Sequence, residues 1–243
     1  MVVERIDYAA GSVVGRGALV WNDKIERPRP LLLVMPNWLG VTEAAIARAA
    51  RMAGDDYIAF VGCMYGLGKT CDGPPTSKAW VEEIASDPAE RRTRVNAALD
   101  TLVAEGTRRG IGDPSKTAAI GFCFGGANVL ELARSGADID AVVCVHGDLA
   151  GALPARKGDI KAALFILHGT KDPVAPKADR DALEAELDAA EAKWQMLNFG
   201  GLLHAFAEEG INVPGIGVYD PGAARQTYKM IDDFIGNVFA NRI

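Results

Sequence analysis

The chain has 243 residues, 49% hydrophobic and 24% charged, the balance of an ordinary globular protein rather than a disordered or fibrous one. A single α/β domain is the organisation expected at this length. The formal net charge of −6 disfavours nucleic acid and anionic membrane as partners, and no apolar run approaches the ~18 residues of a membrane span. The opening residues carry Glu4 and Asp7 and no apolar core, so no secretory signal is expected and the protein is read as cytoplasmic. Cys63, Cys71, Cys123 and Cys144 form no CxxC pair. A structural zinc site is therefore not expected, and reduced thiols are.

In chain order, Val2–Ala9 and Val13–Trp21 are expected to pair as a hairpin. Pro30–Met35 is a continuous apolar run, as in a strand buried on both faces. Thr42 is placed to cap a helix running to about Met52, and Tyr57–Gly62 is the next strand. Residues 66–87 break the pattern. Gly66, Gly68, Gly73, Pro74 and Pro75, with Trp80 among them, predict an irregular stretch: a lid or a plain surface excursion. Asp87-Pro88-Ala89-Glu90 resembles a capping box with proline at the first helical position. Val95, Ala98, Leu99, Leu102 and Val103 then form one apolar stripe, and Arg91, Arg92 and Arg94 read as a solvated face. Strands at Thr117–Gly121, Ala141–Val145, Ala163–His168 and Trp194–Phe199 follow, with helices at Pro176–Ala190 and Ala223–Phe239. Tyr228, Ile231, Ile235, Val238 and Phe239 are the expected buried face of the last helix. This alternation predicts an α/β fold, a mostly parallel sheet of about eight strands flanked by helices on both faces.

The chemistry centres on Gly121-Phe122-Cys123-Phe124-Gly125-Gly126, between the strand KTAAI and the helix ANVLELAR. This is a Gly-x-nucleophile-x-Gly elbow with cysteine in the serine position. The sharp turn leaves the thiol exposed at the sheet's carboxyl edge, and the helix dipole behind it favours thiolate. Asp172 follows the strand Ala163–Leu167 in His168-Gly169-Thr170-Lys171-Asp172-Pro173. His204 follows the last strand in a Gly200-Gly201 loop that could swing onto the sulfur. Nucleophile, acid, histidine is the α/β-hydrolase chain order. His168 is expected to bond a loop, and His146, which ends a strand and could line the site, to be a satisfied buried histidine. Asp148 is the alternative acid. Cys63 and Cys144 read as core residues, whereas Cys71, in the irregular stretch, is expected to be exposed. An oxyanion hole would use the N–H of Phe124 and a second from Met35–Gly40, assigned to Trp38.

With these residues in place, the chain resembles the dienelactone hydrolase family from about Leu31 to Phe239. GFCFGG is similar to its cysteine elbow, VMPNWLGV to its oxyanion loop, HGTKDPVAP to its acid turn, and GGLLHAF with GVYDPGAARQTYKMIDDF to its histidine loop and closing helix. The resemblance implies an α/β-hydrolase fold and hydrolysis of a small ester or lactone, with Cys123, Asp172 and His204 as nucleophile, acid and base. Asn37, Trp38 and Tyr65 are the expected substrate-binding residues. No metal or organic cofactor is implied, and the chain is expected to act as a monomer or homodimer.

Two departures qualify the likeness. Asn37 stands where the dienelactone-cleaving members carry a glutamate that contacts the resting thiol, so direct Cys–His pairing is expected instead. Ala207-Glu208-Glu209 stands where those members carry an arginine for the substrate carboxylate, which argues against dienelactone itself. An acyltransferase, a thioesterase and a non-catalytic binding protein on the same scaffold are the alternatives. The complete triad counts against the last.

Overall fold

The computed structural model describes every residue of the chain except 68, 70, 72 and 74. The backbone divides into two units, Met1–Ile120 and Gly121–Ile243. In the first, β1 (Val2–Ala10) and β2 (Val13–Trp21) form the expected antiparallel hairpin, in register from Val2↔Trp21 to Ala10↔Val13. Residues of β1 alternate between more and less exposed, because successive side chains of a strand point to opposite faces. β3 (Arg29–Met35) and β4 (Ile58–Val61) pair in parallel, and β2 pairs antiparallel with β4. All four residues of β4 are buried, as in a strand covered on both faces.

The first unit's helices begin where their caps lie. α1 (Glu43–Ala53) starts at Thr42, whose hydroxyl accepts the Ala45 N–H at 3.1 Å. α3 (Pro88–Arg108) starts at Asp87, whose carboxylate accepts the Glu90 N–H at 3.0 Å, with proline at the first helical position. Such a cap satisfies an amide that has no partner within the helix.

Glu90, however, does not close a reciprocal box. Its carboxylate accepts from the Ser12 N–H at 2.8 Å, the Ser12 hydroxyl at 2.6 Å and Arg94 Nε at 2.8 Å. Arg94 is buried and also donates to the Met64 carbonyl at 2.7 Å. The expected solvated face is thus wrong for Arg94, which ties α3 to the β1–β2 turn.

The segment 66–87 is corrected in part. Thr76–Ser86 is a helix, α2, which the preceding glycines and prolines conceal. Gly68 and Pro74 lie outside the described residues. Cys71 is buried rather than exposed, its sulfur 2.8 Å from the Ser77 hydroxyl.

β5 (Gly112–Phe122) runs across the boundary between the units. In the second unit β6 (Ala141–Val145), β7 (Ala163–Gly169) and β8 (Lys193–Phe199) pair in parallel. Every residue of β6 and β7 is buried. α4 (Phe124–Arg134), α5 (Lys177–Ala189) and α6 (Pro221–Phe239) accompany them, with the short hairpin β9 (Asn212–Val213) and β10 (Gly217–Val218).

The expected face of α6 shifts. Ile231 and Ile235 are buried as expected, but Ala223, Ala224, Thr227 and Phe234 share that face, while Tyr228, Val238 and Phe239 are only partly covered. Among the described residues, eight strands in a mostly parallel sheet with six helices make up the expected α/β-hydrolase architecture. Among the described residues no helix is long and apolar enough to cross a membrane.

Candidate active site

Three strands of the second unit's sequence end just before a polar residue that bears on the chemistry. β5 ends at Phe122, one residue before Cys123. β7 ends at Gly169, shortly before Asp172. β8 ends at Phe199, before the loop that carries His204. In α/β sheets the carboxyl ends of strands are where ligands bind.

Cys123 is the N-cap of α4 and adopts φ 54° and ψ −119°. A non-glycine residue at positive φ is uncommon and persists only where its surroundings over-determine it. Here they do. The Cys123 N–H donates to the Val145 carbonyl at 3.1 Å and to His146 Nδ1 at 3.2 Å. A Cβ on Gly121 would collide with the Gly125 carbonyl, and one on Gly126 would stand 2.8 Å from the Gly147 Cα. The elbow therefore needs Gly121 and Gly126, which lets α4 start at once behind the thiol. Phe124 is the first residue of that helix, where amides lack intrahelical partners and the dipole is positive.

All four cysteines are described and free. Cys63, Cys71 and Cys144 are buried, while Cys123 alone is partly exposed. Burial pushes the Cys144 thiol up to about 12, so it stays protonated and unreactive.

His204 Nδ1 lies 2.8 Å from Asp172 Oδ2, and both side chains are buried. The other Asp172 oxygen accepts the Val174 N–H at 2.8 Å. With Nδ1–H given to the carboxylate, Nε2 is left as the nitrogen that can exchange a proton with a thiol. Burial lowers the His204 pKa, but hydrogen bonds to Asp172 and to Cys123 outweigh it and carry the value up to about 10.

The loop of His204, expected from Gly200-Gly201 to let the ring reach the sulfur, is tied down by backbone hydrogen bonds. The His204 N–H donates to the Ile216 carbonyl at 3.1 Å, and the Val218 N–H donates to the His204 carbonyl at 3.0 Å. His204 pairs with Gly217 in a short bridge, so the β9–β10 hairpin holds it. The acid turn is tied to the same loop: Lys171 N–H donates to the Leu202 carbonyl at 2.9 Å.

The other expected residues are accounted for as follows. His168 is buried and its Nε2 lies 2.9 Å from the Ala175 carbonyl, a loop tie as expected. Asp148 accepts the N–H of Ala150 at 3.1 Å, whereas the acid facing His204 is Asp172. Glu208 is buried and Glu209 exposed. In the first unit the Asn37 side-chain oxygen accepts the Leu39 N–H at 3.0 Å, which shapes its own turn. The Tyr65 hydroxyl donates to the Trp38 carbonyl at 2.9 Å, and the Tyr65 and Trp80 rings lie 5.2 Å apart.

The residue that sequence reasoning undervalued is His146. Its ring touches both the nucleophile's amide and the ring of His204, 5.2 Å away. The available signal was its place directly after a strand, ahead of glycine.

The family model for the dienelactone hydrolase family matches residues 16–239. The chain belongs to the dienelactone hydrolase family. Solved structures similar to it include the dienelactone hydrolase-like promiscuous phosphotriesterase P91 from metagenomic libraries, 32% identical with a TM-score of 0.86 and 98% of each chain covered. Another, m3DLH, is 31% identical with a TM-score of 0.88, again covering 98% of each chain. An Escherichia coli (strain K12) protein named "Putative carboxymethylenebutenolidase" is 26% identical over 189 residues, 74% of this chain and 68% of that one. As a dienelactone hydrolase-family chain, this protein is a hydrolase of the α/β-hydrolase fold.

Proposed function

We propose that this protein hydrolyses an ester or lactone of a small molecule through Cys123, His204 and Asp172, by way of a thioester. The observation that carries the reading is the pairing of His204 with buried Asp172 at 2.8 Å, with the Cys123 thiol among the groups that raise the imidazole's pKa. His204 takes the Cys123 proton on Nε2, and the thiolate forms a carbon–sulfur bond to the substrate carbonyl. The Phe124 N–H is one donor to the resulting oxyanion, and the sequence supplies Trp38 as the expected second. The intermediate collapses with cleavage of the acyl carbon–oxygen bond, and the leaving alkoxide takes from His204 the proton that came from Cys123. His204 then removes a proton from water, which attacks the thioester. The carbon–sulfur bond breaks, and acid product and thiolate are released. Asn37 and Tyr65, with Trp38, are the proposed substrate-contacting residues. Because Asn37 carries no proton-accepting carboxylate, thiol activation falls to His204.

The test is a panel of aryl esters, enol lactones and thioesters assayed with the wild type and with Cys123→Ala. Activity well above buffer is expected for the wild type and loss of ~10²–10⁴-fold or more for the variant. A wild type indistinguishable from buffer sinks the hydrolase reading, and a fully active Cys123→Ala sinks the nucleophile. The likeness to P91 adds a phosphotriester to the panel. Product that forms only with an added alcohol or amine acceptor would instead identify a transferase.

A further inference from the structure

We infer that His146 is a second, positioning imidazole of this site, whose neutral ring holds the Cys123 amide and fixes the ring of His204. The inference rests on the thiol–imidazole reading above. His146 is fully buried and has φ 39°, a backbone region that a side-chain-bearing residue keeps only when several contacts enforce it. Those contacts are present. Its N–H donates to the Leu167 carbonyl of β7 at 2.8 Å, which pins the backbone to the sheet. Its Nδ1 accepts the Cys123 N–H at 3.2 Å.

The ring also meets three others. It lies edge-on to His204 at 5.2 Å and 69°, and edge-on to Phe206 at 5.3 Å and 80°. The Phe122 ring is 6.1 Å away. The imidazole is thus a wedge between the residue before the nucleophile, the nucleophile's own amide, the base, and the residue two beyond the base. A simple core filler would need no ring nitrogen here, since phenylalanine has a similar shape. What histidine adds is an acceptor aimed at the amide of a strained residue. To accept there, the neutral ring must carry its proton on Nε2. The amide is shared with the Val145 carbonyl at 3.1 Å, so the strained turn at Cys123 is held by two acceptors, the backbone of the last residue of β6 and the side chain of the residue after it. The thiol rides on that turn, and the wall that limits rotation of His204 is the same ring.

Two variants separate the acceptor from the bulk. His146→Phe keeps a ring and removes the nitrogen. His146→Asn places an amide oxygen where Nδ1 stood. The readouts are the rate at which iodoacetamide alkylates Cys123, followed on the intact protein by mass spectrometry, and kcat and KM for an ester that the wild type hydrolyses. His146→Phe is expected to slow alkylation and kcat about tenfold each while KM moves less than about twofold, the pattern of a lost positioning hydrogen bond. His146→Asn is expected to return both rates to within about threefold of wild type. Wild-type rates in His146→Phe overturn the inference, as does a His146→Asn protein that melts like wild type yet is as slow as His146→Phe. If His146→Phe does not fold, His146→Asn decides alone: near-wild-type rates support the inference and a tenfold loss overturns it. A wild-type thiol that alkylates no faster than the thiol of His204→Ala overturns the thiol–imidazole reading itself, and this inference with it.

Discussion

Cys123 is held in its unusual backbone by atoms around it rather than by its own preference, and its neighbours bear the cost. Gly147 is one of them. A Cβ there would stand 2.6 Å from the Cys144 sulfur and 2.8 Å from the backbone of Gly126. Gly147→Ala is expected to destabilise by ~1–3 kcal/mol and to lower activity, seen as a reduced melting temperature and a lower kcat. A variant that melts and turns over like wild type would refute the close packing. His204 sets the acid–base behaviour. Its pKa is raised to about 10, so in the proposed mechanism the proton it takes from Cys123 stays on the ring until the leaving group needs it. The limb of kcat/KM that depends on this imidazolium is expected to fall as pH rises through about 10, because the leaving alkoxide then finds no proton. Asp172→Asn removes a cause of the raised pKa. It is expected to move that limb to lower pH and to reduce kcat by ~10²–10⁴-fold. An unmoved limb in the pH–rate profile would contradict this role for Asp172.

At the scale of elements, short-range signals were legible and long-range ones were not. The caps at Thr42 and Asp87 act over three residues, so the sequence displays them directly. The same holds for the elbow, where strand, cysteine and helix are contiguous. Arg94, by contrast, meets Ser12 across a separation of 82 residues and Cys123 meets His146 across 23, and no local pattern encodes either pairing. The β9–β10 hairpin was missed because each of its strands is two residues long, too short for a period to show. A buried ion-pair group in the second unit offers a further check. Arg134 on α4 binds Glu131 at 3.0 Å and Glu186 of α5 at 2.8 Å, and the side chains of Arg134 and Glu131 are nearly inaccessible. Arg134→Met removes the guanidinium from both carboxylates. It is expected to cost ~3–5 kcal/mol, measured by chemical denaturation. A loss under ~1 kcal/mol would mean the group is no more than a surface pair.

Over the whole molecule, the titrating groups define a window of stability. Glu90 is held down to about 2 by its hydrogen bonds to Ser12 and Arg94. A lowered carboxylate contributes stability above its ordinary pKa of about 4.5 and loses it as pH falls through about 2. His204 works in the opposite sense. Its raised pKa contributes stability that is complete below about 6.5 and lost as pH rises through about 10. The melting temperature is therefore expected to be highest between about 4.5 and about 6.5. Glu90→Gln should flatten the acid side and His204→Ala the alkaline side. Calorimetry across pH checks both, and unchanged slopes would refute the assignments.

The sequence by itself determined the fold class, most element positions, the family, and the three candidate residues for nucleophile, acid and base. Those features rest on periodicity, caps and motifs written within a few consecutive residues, together with the order of the motifs along the chain. Only the tertiary structure decided that His204 is fastened to a hairpin rather than left on a swinging loop, that residues Thr76–Ser86 are helical, that Arg94 is buried, and that the His146 ring reaches Cys123. Each of those depends on which distant segments pack together, and packing energy belongs to the folded neighbourhood rather than to any local stretch of chain.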